Sequence, residues 1–286
     1  MTWQQLISFT DQSFIMETRT AKYHQHQIGY RVSGTGHPVM LLHGFGEDSN
    51  IWADQVVSLN DDFRVYVPDL PGTGLSAESL QAEKAWTMEK FAAVIREIAI
   101  QEHLNTFTLI GHSMGGYITM AFAEAYPQML NGFGLVNSSS FADNEEKIAA
   151  RKKGIEFIQS NGAQKFLEQM IPNLYGDHYK SIHSEDITKH LEAVKNSSAS
   201  SLVSYYTAMM MRPDRRDILR DTQKPVLFII GAEDKTVNLS DSMAQCHLPQ
   251  ESHVILLETS GHMGMREEAH KTTLAMKDFL RRLNEN

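Results

Sequence analysis

Ser113 lies at the centre of Gly111-His112-Ser113-Met114-Gly115, after the apolar run Phe107-Thr108-Leu109-Ile110 and before the small-residue stretch that opens Gly116-Tyr117-Ile118. A serine hydroxyl attacks a carbonyl only when a base takes its proton and the backbone presents it at a sharp turn. In a strand-to-helix elbow the two elements come so close that positions two before and two after the serine must be nearly free of side chain. Gly111 and Gly115 meet that need. The pattern alone arises by accident in roughly one chain in ten of this length, with glycine near 7% of residues. By itself it describes a glycine-rich loop with a capping serine equally well.

A nucleophilic serine also needs a base, an acid to orient the base, and donors for an oxyanion. The apolar run 226–230 is followed by Gly231-Ala232-Glu233-Asp234, which supplies a carboxylate from Glu233 or Asp234. The run 254–257 is followed by Glu258-Thr259-Ser260-Gly261-His262, which supplies an imidazole. If these runs are parallel strands, the serine, a carboxylate and His262 all leave the same edge of one sheet.

The elements that must hold them follow from hydrophobic patterning. Apolar, β-branched runs recur with helical stretches between them, the pattern of an α/β protein with a mostly parallel, doubly wound sheet. Core strands are expected at 39–42, 63–67, 107–110, 133–136, 226–230 and 254–257, with an antiparallel pair at 14–20 and 27–32 before the Ser33-Gly34-Thr35-Gly36 turn. Phe91, Val94, Ile95 and Ile98 share a helix face behind a Thr87 cap; Ala269, Thr273, Met276, Leu280 and Leu283 do so near the C-terminus.

From 138 to 220 the strand-helix rhythm stops and helical patterns take over. Asp143 with Glu146 is expected to form a capping box for a helix carrying Ile148, Ile155 and Ile158. Ser184 is expected to open a second, with Ile187, Leu191 and Val194, while a third carries Leu202, Tyr206 and Met210 and stops near Arg212-Pro213. The expected organisation is a core domain of residues 1–137 and 221–286 with a helical cap, 138–220, over the sheet edge where ligands of such folds bind. Met170, Met209, Met210 and Met211, with Phe157, Phe166, Tyr205 and Tyr206, would pack the cap or line an apolar pocket beneath it.

The order Ser, Asp, His is the one associated with α/β-hydrolases. Two more segments fit: His43-Gly44-Phe45-Gly46 after the strand at 39–42, and Pro68-Asp69-Leu70-Pro71-Gly72-Thr73-Gly74-Leu75-Ser76 after the next. The chain resembles the serine-nucleophile branch of the α/β-hydrolase fold superfamily, its esterases and cofactor-free haloperoxidases. The resemblance implies a triad of Ser113, Asp234 and His262, with Asp234 preferred to Glu233, and an oxyanion hole made by the Phe45 and Met114 amides. It implies an acyl-enzyme mechanism on small to medium carboxylic esters, without a cofactor. The same motifs resemble perhydrolases and carbon-carbon bond hydrolases, and a ligand-sensing protein on this fold is the reading from another class. Thr73 departs from the family pattern, which has a histidine there. Asn137 stands where some relatives place the acid.

Composition narrows the partners. A net charge of −9 disfavours nucleic acid and anionic membrane surfaces. No H-E-x-x-H or paired-cysteine motif is present, so no metal is expected; His183 and His190 lack ligand spacing, and His43 and His112 read as structural or pocket-lining. Cys246 is the single cysteine, and the opening Met1-Thr2-Trp3-Gln4-Gln5-Leu6 carries neither a basic nor a sustained apolar stretch. The expectation is a cytoplasmic enzyme acting on a small molecule with an apolar portion, without membrane insertion, self-association into a homo-oligomer being left open.

Overall fold

The computed structural model describes residues 16–80 and 85–285. Its strands are β1 (Glu17–Tyr23), β2 (His26–Ser33), β3 (His37–Leu42), β4 (Phe63–Pro68), β5 (Phe107–His112), β6 (Leu130–Val136), β7 (Val226–Gly231) and β8 (Ser252–Leu257). They form one open sheet in the order β1-β2-β4-β3-β5-β6-β7-β8. β1 and β2 pair antiparallel at one edge, β2 pairs antiparallel with β4, and every pairing from β4 to β8 is parallel. Each expected core strand is present and slightly longer than its apolar run. Positions 14 and 15 of the expected first strand, and the segment Met1 to Leu6, lie outside the described residues.

Burial explains the patterning. β5 and β7 are buried at every position, because helices cover both faces of a central parallel strand. β8 lies at the far edge and alternates, leaving Val254 and Leu256 exposed. The β1–β2 hairpin turns through His24 and Gln25, with His24 at φ 52° to match the twist of the strands.

The helices are α1 (Ala53–Leu59), α2 (Met88–Gln101), α3 (Met114–Ala125), α4 (Glu145–Asn161), α5 (Ala163–Leu174), α6 (Asp177–Ile182), α7 (Ser184–Val194), α8 (Ala199–Met211), α9 (Arg216–Asp221), α10 (Leu239–Cys246), α11 (Gly264–Glu267) and α12 (Ala269–Glu285). Thr87 caps α2 by accepting from the Lys90 amide, and Phe91, Val94, Ile95 and Ile98 are buried beneath it. Thr273, Met276 and Leu280 are the buried face of α12.

Helices α4 to α9 all lie between β6 and β7. The expected capping box is corrected in one respect: Asn144, not Asp143, caps α4, accepting from the Lys147 amide at 2.8 Å. Asp143 is drawn instead to Arg151 at 2.6 Å and Arg212 at 2.9 Å. Two charge-assisted bonds outweigh one cap bond of about 1 kcal/mol. α5, α6 and α9 were not among the expected helices. α5 carries Pro172 in its last turn, and α6 and α9 have only six residues each.

Candidate active site

β5 delivers Ser113 into α3 through a turn with φ 50° and ψ −115° at the serine, a conformation that costs a non-glycine residue about 1–3 kcal/mol. The neighbours hold it there. The Ser113 amide donates to the Val136 carbonyl at 3.0 Å, and the Ser138 hydroxyl donates to the Ser113 carbonyl at 2.7 Å. A Cβ on Gly111 would collide with the Gly115 carbonyl, and one on Gly115 would lie 2.6 Å from the Leu42 carbonyl oxygen. Glycine at both positions lets strand and helix approach this closely.

His262 and Asp234 stand beyond the ends of β8 and β7. His262 Nδ1 lies 2.8 Å from Asp234 Oδ2. The other carboxylate oxygen accepts from the Thr236 and Val237 amides at 2.8 and 2.9 Å. Glu233 points elsewhere and accepts from the Asp177 amide at 3.0 Å. Asn137 donates to Asp234 Oδ2 at 3.1 Å and to the Gly261 carbonyl at 3.0 Å, so it braces the carboxylate. Burial alone would raise the Asp234 carboxyl, but His262 and the two amides hold it below the ordinary carboxylate value. Burial would lower His262, yet the Asp234 charge and hydrogen bond, with Glu47 and Glu267 behind them, keep it above the ordinary imidazole value.

With Nδ1 turned to Asp234, Nε2 is the ring nitrogen left for other chemistry. Ser113 and His262 line one cavity of about 180 Å³ with Phe45, Glu47, Tyr117, Arg151, Met170, Leu174, Tyr206, Met209 and Thr236. Met114 opens α3, where a first-turn amide has no intrahelical partner. Among the described residues neither its amide nor that of Phe45 donates to a backbone carbonyl. The Phe45 ring stacks on Tyr206 of α8, centroids 4.2 Å apart. Of the four methionines singled out, Met170 and Met209 reach the cavity, whereas Met211 is exposed. Thr73 contacts His43, its hydroxyl 3.1 Å from the Nε2 that also accepts from the Leu70 amide.

A family model for the alpha/beta hydrolase fold matches residues 37–269. The chain belongs to that family. This α/β-hydrolase is 27% identical over 253 residues to the dihydrolipoyllysine-residue acetyltransferase component of an acetoin cleaving system from Pseudomonas putida, covering 86% of this chain and 64% of that relative. It thus spans less than two thirds of that protein's length. It is 26% identical to a pimeloyl-[acyl-carrier protein] methyl ester esterase from Vibrio cholerae, covering 88% of this chain and 98% of the relative. A thermophilic esterase from Thermogutta terrifontis, solved with malate bound, superposes with a TM-score of 0.85 at 29% identity, covering 94% of this chain and 99% of that one. Among the described residues no helix is long and apolar enough to cross a membrane, and no group of three or more His, Cys, Asp or Glu is placed to hold a metal.

Glu47 and His112 form a buried bridge in this hydrolase that sequence patterning did not single out as a pair. The Glu47 carboxylate accepts from the Gly44 amide at 2.6 Å and faces His112 Nδ1 at 3.0 Å, while His112 Nε2 donates to the His262 carbonyl at 2.9 Å. One proton lies between the two side chains. The bridge ties together the loop of Phe45, the elbow of Ser113 and the loop of His262. Glu267 does related work, accepting from the Gly176, Gly261 and Met263 amides. A lone glutamate in a loop has no periodicity to betray it; only the approach of three loops gives it partners. Removing one member of a buried pair costs about 3–5 kcal/mol. Glu47→Ala is therefore expected to lower the urea midpoint steeply at unchanged m-value, and Glu47→Gln, which refills the space and can accept from the Gly44 amide but brings no charge to His112, to restore only part of it.

Proposed function

We propose that the chain is a serine hydrolase of small to medium carboxylic esters, with Ser113 as nucleophile, His262 as general base and acid, and Asp234 as the group that orients it. The observation that carries the reading is the 2.8 Å contact of His262 Nδ1 with Asp234, which leaves Nε2 for the serine across a shared cavity. His262 takes the Ser113 proton as the hydroxyl attacks the ester carbonyl, and Asp234 holds the tautomer and steadies the imidazolium. The Phe45 and Met114 amides donate to the oxyanion of the tetrahedral intermediate. His262 then protonates the leaving alcohol, and water releases the acid by the same route. Residues 138–220 act as a cap whose apolar side chains hold the acyl group. The enzyme works in the cytoplasm on a small molecule, and its net charge of −9 keeps nucleic acid away.

The test is modification by a fluorophosphonate, mapped by peptide mass spectrometry. Rapid labelling of Ser113 in the wild type, absent in His262→Ala, is the expected result. An unlabelled wild type that also turns over no ester would sink the reading and favour the sensing alternative. Added peroxide and a vinylogous diketone in the same assays separate ester hydrolysis from perhydrolysis and carbon-carbon cleavage.

The base must be neutral to accept a proton. Because the folded protein holds His262 above its ordinary value of 6.5, kcat/KM is expected to fall on acidification through a limb centred above pH 6.5. A limb below that pH would contradict the assignment of His262 as base.

A further inference from the structure

We infer that the ester carries a free carboxylate at the far end of its acyl group, held by Arg151 of α4. The inference rests on the ester-hydrolase reading and adds the substrate class. Arg151 is the one cation in the lining of the cavity that holds Ser113 and His262. Its Nε and Nη2 donate side-on to Asp143 at 2.6 and 3.2 Å, which leaves Nη1 without a partner among the described residues. The guanidinium lies 5.4 Å from the centre of the Tyr206 ring, one aromatic wall of the cavity.

Charge decides the case. Asp143 is shared, because Arg212 Nη1 also meets its Oδ1 at 2.9 Å. Two guanidiniums against one carboxylate leave one positive charge over. Arg212 does not line that cavity: it is 6% exposed, packs 3.8 Å over the Tyr117 ring and donates to the Met209 carbonyl at 2.8 Å, and its Nε is buried without a partner among the described residues. Of the two guanidiniums only Arg151 lines the cavity, so an anion there meets the shared surplus through Arg151. The other charged member of the lining, Glu47, is turned to Gly44 and His112 and does not cancel it. A partly buried cation beside an aromatic wall favours an anionic partner, and a guanidinium edge fits a carboxylate.

The volume limits the chain between the two ends. About 180 Å³ is close to the roughly 150 Å³ that admits one benzene molecule. The acyl group stays covalently on Ser113 through the second half of the reaction, so this space must hold it while the alcohol leaves. A half-ester of a four- or five-carbon dicarboxylic acid fits this description.

The experiment compares monomethyl succinate with methyl 4-methylpentanoate, in which an isopropyl group of similar shape replaces the carboxylate. The wild type is expected to favour the succinate half-ester in kcat/KM. Arg151→Gln is expected to lower that ratio about ten- to a hundredfold, the range for losing one charge-assisted contact. Asp143→Asn, which removes the competing carboxylate, is expected to raise it, and it carries the test if Arg151→Gln melts early. A wild-type ratio at or below one, a parallel loss of both esters in Arg151→Gln, or a fall in Asp143→Asn overturns the inference. If neither ester turns over while a fluorophosphonate still labels Ser113, the substrate class is wrong and the hydrolase reading stands. If labelling fails too, both fall.

Discussion

Purified Ser113→Ala is expected to lose about a millionfold in kcat on a short ester, the scale for removing a nucleophilic serine whose base remains. The loss reads chemistry and not folding. Alanine keeps the strained φ of 50° and leaves Gly111 and Gly115 in contact, so the elbow keeps its shape and the melting temperature should barely move. A residual rate some 10³–10⁴ above water is expected from the amide donors and substrate binding alone. Ester turnover by this variant at the wild-type rate would falsify the proposed nucleophile.

Asp234→Asn is the second large effect, expected at about 10⁴-fold in kcat. Asparagine can still accept from the Thr236 and Val237 amides through its oxygen, which turns its nitrogen toward His262 Nδ1 and Asn137 Nδ2. Both of those face it as donors. His262 must then move its proton to Nε2 to accept at Nδ1, and Nε2 is the atom needed as base. Glu233→Gln is the control: among the described residues its carboxylate accepts only from the Asp177 amide, and activity should stay near wild type. Equal losses in the two variants would move the orienting role away from Asp234.

Legibility in the sequence follows a physical line. Five of the six parallel strands were readable because burial on both faces makes each a continuous apolar run, β8 was readable from apolar residues it keeps even where exposed, and the elbow was readable because two glycines must flank it. Residues that act through tertiary contact were not. Asp143 looks like a helix cap in its local context, yet Arg212, far along the chain, decides its role. Arg151 sits on a largely polar helix among lysines, and nothing in its spacing separates it from the solvated ones. Asn137 was noticed as a missing acid, whereas the structure makes it the donor that steadies the acid. α5 was legible and missed: Ala163, Phe166, Leu167, Met170, Ile171 and Leu174 recur at helical spacing, and Pro172 falls only in its last turn.

The wall of the cavity has a divided origin. Ser113, His262 and Phe45 come from loops at the sheet edge, while Arg151, Met170, Tyr206 and Met209 come from α4, α5 and α8. The first group is locked by backbone packing that admits no larger residue at Gly111 or Gly115. The second hangs on side chains that can change one at a time. Descent with modification can thus rewrite which acids this scaffold accepts while leaving the reacting atoms where they are, and a laboratory library confined to those three helices would explore the same freedom.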